Sequence, residues 1–168
     1  MNQNQKTVLI IGGGIAGLTA AAALGQKGVA CDLVEIKPEN KVLGVGIIQP
    51  GNSLRALREI GVYEECLAAG FPTDHYRYYE GDGTPIANLS LLRIADPNRE
   101  AINTLPRPAL NDILTRAAER AGANIRFGCT AVSMEDDGNS VEVKFSDGTS
   151  KRYDMVIGAD GIRSQTRR

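Results

Sequence analysis

Short apolar runs alternate along the chain with stretches of helical period, a pattern typical of an α/β fold. Val8 to Ile11 is an unbroken apolar run, and it predicts a buried parallel strand over Thr7–Ile11. The segment from Ile15 to Lys27 predicts a helix that Gly28 ends. A second strand is predicted over Ala30–Glu35, so the chain opens as strand, glycine-rich turn, helix and strand.

The middle of the chain carries weaker patterns. An apolar stripe predicts a helix that is capped by Asn52 or Ser53 and ends at Gly61. The other elements predicted here are a loop over Lys37 to Gln49, a short helix over Tyr63 to Ala69, a hairpin of His75 to Glu80 with Pro85 to Leu91, and a polar loop or edge strand over Leu92 to Thr104. Tyr76 and Tyr78 share one face of the hairpin, and such faces more often pack in a core than line a pocket.

The last third of the chain returns to clear patterns. Pro108 opens a helix with a buried apolar stripe, and Gly122 ends it. The stripe consists of Leu110, Ile113, Leu114 and Ala117. The strands predicted after it are Asn124 to Phe127, an antiparallel meander of Ala131 to Glu135, Val141 to Phe145 and Lys151 to Tyr153, and a buried strand over Met155 to Ile157.

The turn after the first strand fits the pattern G-x-G-x-x-G, with glycines at 12, 14 and 17. We expect Gly12 to let the chain turn sharply, Gly14 to let a pyrophosphate approach the backbone, and Gly17 to let the helix pack closely. The free N–H groups at the helix start would face the phosphates. The alternative is a merely structural glycine-rich turn.

Glu35 ends the second strand, 18 residues after Gly17. A carboxylate at this distance is expected to accept hydrogen bonds from an adenosine ribose. It would repel a 2′-phosphate, so FAD or NAD is favoured over NADP at this position. The strand, the helix and the acid together favour binding of an ADP moiety over a structural turn.

Composition narrows the classes of function. With 168 residues, 42% hydrophobic and 23% charged, the chain is an ordinary globular protein of one domain or slightly more. A net charge of −1 gives no field for nucleic acid or an anionic membrane, and no apolar run is long enough to span a bilayer. Three widely spaced cysteines indicate free thiols in the cytoplasm. With one histidine, no G-x-S-x-G and no metal-ligand spacing, neither a serine hydrolase nor a metal site is predicted.

Three stretches together resemble the N-terminal half of the group A flavoprotein monooxygenases, the para-hydroxybenzoate hydroxylase and salicylate hydroxylase type. They are Gly12 to Gly17 with Glu35, the loop and helix from Leu43 to Leu57, and the Asp-Gly motif within Val156 to Ser164. Arg107 also fits the arginine that precedes a helix in that family. The resemblance implies a Rossmann-like, glutathione-reductase-type FAD-binding domain, with a parallel sheet, an antiparallel β-meander and an inserted β-hairpin.

The resemblance also implies roles for individual residues. Lys37 and Lys41 would lie near the cofactor, Arg107 over the FAD phosphates or ribityl chain, and Asp160 against both FAD and a transient NADH or NADPH. The cofactor-binding residues expected from the resemblance are Gly12, Gly14, Ile15, Ala16, Gly17, Glu35, Lys37, Gly46, Ile47, Arg107, Asp160 and Gly161. Gly44 to Ile47 would flank the isoalloxazine.

The chemistry implied is that of the cofactor, so no catalytic protein residue is expected. In the family, NAD(P)H reduces FAD, O2 adds to the reduced flavin, and the C4a-hydroperoxide hydroxylates a small aromatic substrate. The resemblance does not fix the substrate, NADH against NADPH, or the oligomeric state, and a homo-oligomer is open.

Residues 1–168 are expected to form a FAD-binding domain that is incomplete, with 71–105 part of a substrate-side insertion. Family members continue with a third, Gly-Asp-containing FAD motif and most of the substrate pocket, so a missing C-terminal half is an expected partner. Two other functions stay open: another FAD-dependent oxidoreductase of the same fold, such as an oxidase or a geranylgeranyl-reductase-like enzyme, and a non-catalytic dinucleotide-binding fragment.

Overall fold

The computed structural model describes residues 6–40 and 44–167, which belong to two units. Met1–Val42 and Asn111–Arg168 form the first unit, and Leu43–Leu110 forms the second. The elements in chain order are β1 (Thr7–Ile11), α1 (Ile15–Gln26), β2 (Ala30–Glu35), β3 (Gly46–Gln49), α2 (Gly51–Glu59), α3 (Tyr63–Ala68), β4 (Phe71–Thr73), β5 (His75–Tyr79), β6 (Pro85–Ser90), β7 (Ile102–Pro106), α4 (Arg107–Arg120), β8 (Asn124–Phe127), β9 (Ala131–Asp136), β10 (Val141–Phe145), β11 (Ser150–Tyr153) and β12 (Met155–Gly158).

The first unit is built on a four-stranded sheet with the order β12-β1-β2-β8, in which every pairing is parallel. Of its two central strands, β1 is an almost continuous buried apolar run, whereas β2 carries Asp32 between buried apolar residues. Helix α1 packs against β1 and β2. Since parallel strands end at the same edge of a sheet, the turns that follow β1, β2 and β12 meet there.

A three-stranded antiparallel meander, ordered β11-β10-β9, supplies the rest of this unit's core. One buried cluster joins the two sheets. Its members are Leu9, Ile11, Val34, Cys129, Val143, Phe145 and Tyr153. The fold class expected from the sequence is therefore confirmed, with its parallel sheet, its meander and, in the second unit, its hairpin.

A partly buried polar network also ties the meander to the parallel sheet. The Asp32 carboxylate on β2 accepts hydrogen bonds from Tyr153 Oη at 2.6 Å, Lys151 Nζ at 2.8 Å and Asn124 Nδ2 at 3.1 Å. Burial raises the pKa of Asp32, but the hydrogen bonds from Lys151, Tyr153 and Asn124 outweigh it and hold that pKa below its ordinary value. Burial and the adjacent carboxylate raise the pKa of Tyr153.

The second unit contains a small antiparallel sheet with the order β3-β7-β4 and a separate hairpin of β5 and β6. Helices α2 and α3 contact this sheet. The predicted apolar stripe of α2 is buried through Leu54 and Leu57, followed by Ile60. None of the helices in the described ranges is long and apolar enough to span a membrane.

Most of the predicted elements of the first unit are confirmed to within a residue or two. β1, β2, β8 and β10 have the predicted bounds, and Gly28 and Gly122 follow helices with φ of +79° and +87°. β12 lies where it was predicted, but it is not a buried strand. It forms the edge of the sheet, and Met155 at its start is 56% exposed, because β1 covers only one of its sides.

Three predictions for the second unit are wrong. Gly46–Gln49 is a strand, not part of a loop, because its pairing partner lies more than fifty residues away and leaves no local signal. The segment predicted as a polar loop or edge strand has no helix or strand up to Ala101, but its last three residues begin β7, the central strand of the sheet. Neither Asn52 nor Ser53 caps α2, which begins at Gly51 with Pro50 at the N-cap.

The tyrosine face of the hairpin also differs from its prediction. Tyr76 and Tyr78 stack edge to face, with ring centroids 6.5 Å apart, but they are 36% and 48% exposed. A two-stranded hairpin has no second layer of its own within the unit, so these rings pack on each other instead of in a core.

The Asp32 network predicts a specific loss of stability. Tyr153→Phe removes one buried donor to the Asp32 carboxylate and keeps the ring, so we expect the free energy of unfolding to fall by about 1–2 kcal/mol. Urea denaturation measures it, with Tyr78→Phe, a change at a half-exposed hydroxyl, as the matched control. Equal effects of the two substitutions would contradict the assignment.

Candidate cofactor site

The turn between β1 and α1 depends on the absence of a side chain at Gly12. Gly12 has φ of +111°, and its N–H donates to the carbonyl oxygen of Val34 at 2.8 Å. A Cβ atom at this position would lie 2.4 Å from the carbonyl oxygen of Ala159. The predicted sharp turn is therefore present. The close approach of the chain that follows β12 also requires glycine here, and no local sequence signal indicated that approach.

The other two fingerprint glycines differ in their surroundings. A Cβ atom at Gly17 would lie 1.9 Å from the carbonyl oxygen of Gly12, so the start of α1 packs on the turn itself. At Gly14, no heavy atom of the described residues lies within 4 Å of an added Cβ. No side chain of the described residues caps α1, and no acidic residue lies in its first turn. The N–H groups of Ile15 and Ala16 have no carbonyl partner within the helix, and they lie at its positive end, next in sequence to Gly14.

Glu35 is held beside this turn by two backbone donors. Its Oε2 accepts a hydrogen bond from the N–H of Gly13 at 2.7 Å, and its Oε1 accepts one from the N–H of Lys37 at 3.0 Å. A Cβ atom at Gly13 would lie 3.0 Å from the Cβ of Glu35. Gly13 is a site residue that the pattern G-x-G-x-x-G leaves unspecified, and the run of three glycines was its only signal.

Of the two lysines expected near the cofactor, Lys37 lies within the described residues. The side chain of Lys37 is exposed, and its backbone carbonyl accepts a hydrogen bond from the N–H of Gly128 at 2.7 Å. Lys37 therefore fixes the chain after Glu35 through its backbone. Lys41 lies outside the described residues, as does Leu43 of the loop predicted on the flavin side.

Asp160 lies beside Gly12, and its carboxylate is engaged by the turn that follows it. The hydroxyl of Ser164 donates to Oδ1 at 2.6 Å, and the N–H groups of Gln165 and Thr166 donate to Oδ2 at 2.7 and 3.1 Å. Burial raises the pKa of Asp160, but these hydrogen bonds outweigh it and lower the pKa to about 2. In this arrangement the side chain of Asp160 organises the segment after Gly161, which has φ of +81°.

The predicted flavin-side residues lie in the second unit. Gly46 pairs with Pro106, and Ile47 pairs with Leu105, in the ladder of β3 and β7. Arg107 follows as the first, exposed residue of α4. A Cβ atom at Gly44, which has φ of +152°, would lie 3.0 Å from Cδ of Arg107.

The predicted site residues therefore form two groups, one within each unit. The first unit brings together the glycine turn with Ile15 and Ala16, Glu35, Asp160 and Gly161, and the second unit brings together Gly46, Ile47 and Arg107. Within the described residues, no three His, Cys, Asp or Glu side chains are grouped as metal ligands would be.

A family model described as FAD binding domain matches residues 5–168, which is nearly the whole sequence. The chain belongs to the FAD binding domain family. This membership supports FAD as the cofactor of the predicted site.

Similar proteins carry names of flavin enzymes. YetM of Bacillus subtilis, named provisionally as a FAD-dependent monooxygenase, is 38% identical and is matched over 96% of this chain and 44% of its own length. The 3-amino-4-hydroxybenzoate 2-monooxygenase of Streptomyces cremeus is 32% identical, over 96% of this chain and 41% of its own. The chain thus spans about two fifths of the length of these curated relatives.

Solved structures agree with these relatives. The tetrameric form of 2-methyl-3-hydroxypyridine-5-carboxylic acid oxygenase matches 96% of this chain and 41% of its own, with 27% identity and a TM-score of 0.81. The flavin-dependent monooxygenase PieE, solved in complex with FAD and substrate, matches 99% of this chain and 32% of its own, with 28% identity and a TM-score of 0.79.

The structure of the glycine turn predicts that two similar substitutions differ in their effect on stability. Gly12→Ala places a methyl group against Ala159 at a positive φ, so we expect it to cost about 2 kcal/mol or more of folding free energy. Gly14→Ala adds the same methyl group in open space at φ of −80° and is expected to leave the thermal midpoint unchanged. Thermal unfolding of the two variants side by side tests this, and equal midpoints would contradict the described turn.

The hydrogen bonds to Asp160 predict an acid-sensitive contribution to stability. A carboxyl whose pKa is lowered by folding contributes stability that is complete above its ordinary pKa of 3.8 and is lost as the pH falls to about 2. We expect Asp160→Asn to make the fall in urea midpoint across this window shallower. Ser164→Ala removes one donor and keeps the carboxylate, so it should move the loss to higher pH; a profile identical to the unmodified chain's in both variants would refute the role of these bonds.

Proposed function

We propose that these 168 residues bind FAD for an NAD(P)H-dependent monooxygenase that hydroxylates a small aromatic substrate. The observation that carries the proposal is the open space at Gly14, which lies at the positive end of α1 and next to the Glu35 carboxylate. Family membership supports FAD as the dinucleotide. The lack of a side chain at Gly14 leaves room for a pyrophosphate, and the helix N–H groups are donors to it.

The residues of the first unit fit the adenosine half of the cofactor. The N–H groups of Ile15 and Ala16 would donate to the pyrophosphate. An ionised carboxylate accepts about four hydrogen bonds. Glu35 receives two from the backbone, which leaves capacity for two ribose hydroxyls. The bonds from Gly13 and Lys37 orient the carboxylate before the cofactor arrives.

The residues of the second unit fit the flavin half. Gly46 and Ile47, which the family resemblance assigns to the flavin side, would flank the isoalloxazine. Arg107 is exposed, so its guanidinium is available to the phosphates or ribityl chain. Asp160 and Gly161 would shape the turn on the other side, and NADH or NADPH would approach transiently.

The reaction follows from the cofactor and the relatives. FAD, once reduced by NAD(P)H, supplies the chemistry that activates O2 for transfer of one oxygen atom to the substrate. This chain's residues bind and orient the cofactor. The named substrates of relatives, 3-amino-4-hydroxybenzoate and 2-methyl-3-hydroxypyridine-5-carboxylic acid, are rings that carry electron-donating hydroxyl groups, which supports an aromatic substrate. We place the protein in the cytoplasm, where its three buried thiols stay reduced.

Because the relatives are more than twice as long, the activity is proposed for these residues together with the equivalent of the relatives' remaining three fifths. The tetrameric oxygenase makes a homo-oligomer a reasonable further proposal. FAD binding is the property assigned to this chain itself, and consumption of NAD(P)H that depends on an aromatic substrate and O2 is the property of the larger protein.

FAD binding by the chain is the first test. The purified protein is mixed with FAD and gel-filtered, and we expect a flavin absorption spectrum to elute with the protein. Gly14→Ala should weaken FAD binding by about tenfold or more without loss of stability, because its methyl group occupies the pyrophosphate position. Glu35→Ala should weaken it as well.

Gly81→Ala is the matched control, since it also adds a methyl group in a space where the described residues place no atom within 4 Å. A colourless protein peak from the unmodified chain would count against FAD binding by these residues. Unchanged binding by Gly14→Ala would count against the pyrophosphate position.

A further inference from the structure

The small sheet of the second unit has a buried amide pair at one end of its β3–β7 ladder. Gln49 and Asn103 stand opposite each other in the last of four cross-strand pairs, and they are 2% and 0% exposed. Asn103 Nδ2 donates to Gln49 Oε1 at 2.9 Å and to the carbonyl oxygen of Cys66 at 2.8 Å. The pair therefore joins β3, β7 and α3.

The hydrogen bonding of this amide pair is incomplete. Gln49 Nε2 and Asn103 Oδ1 are buried and have no hydrogen-bond partner among the described residues. A buried amide atom without a partner lowers stability, and an apolar pair of the same size would avoid that loss. The lack of a side chain at Gly70 also makes room for the pair, because a Cβ atom there would lie 2.4 Å from Asn103 Oδ1. A polar pair that lowers stability in this way points to a role in selecting one arrangement of the strands over others.

The apolar pattern of β3 leaves its register poorly determined. Ile47 and Ile48 are adjacent, so either can point inward, and the other end of the ladder pairs Gly46 with Pro106, which contribute little side-chain packing. Strands of this kind are prone to slip by one residue, which exchanges their two faces. A slip of one residue would turn the Gln49 side chain to the other face of the sheet and leave the Asn103 amide buried without it.

We propose that the Gln49–Asn103 pair fixes the register of β3 against β7 and thereby positions Arg107 relative to Gly44 and Gly46. Arg107 follows the residue that pairs with Gly46, so a slip of one residue would displace it by about 3.3 Å along β3. The consequence for the cofactor rests on the proposed function, because Gly46, Ile47 and Arg107 are the residues assigned to the flavin half. Gln49 and Asn103 are positioning residues that act through this ladder.

Disulfide trapping reports the register without any cofactor. Ile48 and Thr104 are opposite each other and exposed, at the Cα separation of about 4.5–5.5 Å that suits a disulfide. We expect Ile48→Cys with Thr104→Cys to cross-link under oxidised glutathione. Ile47→Cys with Thr104→Cys is the off-register control and should not cross-link, because the two side chains point to opposite faces. The three native cysteines are buried, and the unmodified chain serves as the blank.

The decisive experiment places each cysteine pair in the double variant Gln49→Leu with Asn103→Leu. This variant replaces both amides by apolar groups of similar size. We expect its thermal midpoint to equal or exceed that of either single variant, while both cysteine pairs now cross-link, which indicates a mixed register. FAD binding in this background should be weaker by about tenfold. Gly70→Ala, which displaces the Asn103 amide from outside the pair, should also admit the off-register cross-link.

Cross-linking of the Ile48–Thr104 pair alone in the double-leucine background would overturn the proposal, and so would cross-linking of the off-register pair in the unmodified background. If the register mixes while FAD binding stays at the unmodified level, the positioning of Arg107 is refuted. If the unmodified chain binds no FAD, the proposed function fails instead, and the cross-links still decide the register.

Discussion

The structure of the first unit depends on the close approach of two backbone segments at the carboxyl edge of its parallel sheet. Ile11 and Gly158 are the last paired residues of β1 and β12, and the N–H of Ala159 donates to the carbonyl oxygen of Ile11 at 2.8 Å. The carbonyl oxygen of Ala159 then occupies the space that a side chain at Gly12 would need. The turn and the start of α1 follow from this contact, and so does the position of Asp160.

The same contact explains why a site can exist at this edge. The strand ends at this edge are paired by the residues that follow them, whereas a helix start leaves several N–H groups without partners. These groups lower stability, and the buried cluster shared by the parallel sheet and the meander offsets the loss. Asp32 strengthens that arrangement, because it joins β2 to β8 and β11 through three hydrogen bonds in one network. The unpartnered N–H groups at the start of α1 thus lie outside the buried core that stabilises this unit.

Sequence patterns predicted the first unit well because its signals are local. The apolar runs of β1 and β2, the period of α1 and the glycines after each helix all lie within the elements that they define. The signals of the second unit are not local. Gly46–Gln49 contains glycine and glutamine, and β7 contains Asn103 and Pro106, so neither segment shows the alternation of a strand. β3 pairs with β7, and β7 pairs with both β3 and β4, so each depends on partners that no local window of sequence contains.

The two groups of predicted site residues are consequently positioned by different physical constraints. In the first unit, close backbone contacts leave no room for a side chain at Gly12 or Gly17. An added Cβ atom would lie 2.4 or 1.9 Å from a backbone oxygen, so the turn cannot form with a larger residue at either position. In the second unit, apolar packing leaves neighbouring registers close in free energy, and hydrogen bonds between buried amides choose among them. A substitution in the glycine turn would therefore lower the stability of the fold, whereas a shifted register would leave a folded chain with Arg107 displaced. A stability assay alone would therefore detect damage to the glycine turn and miss damage to the Gln49–Asn103 pair.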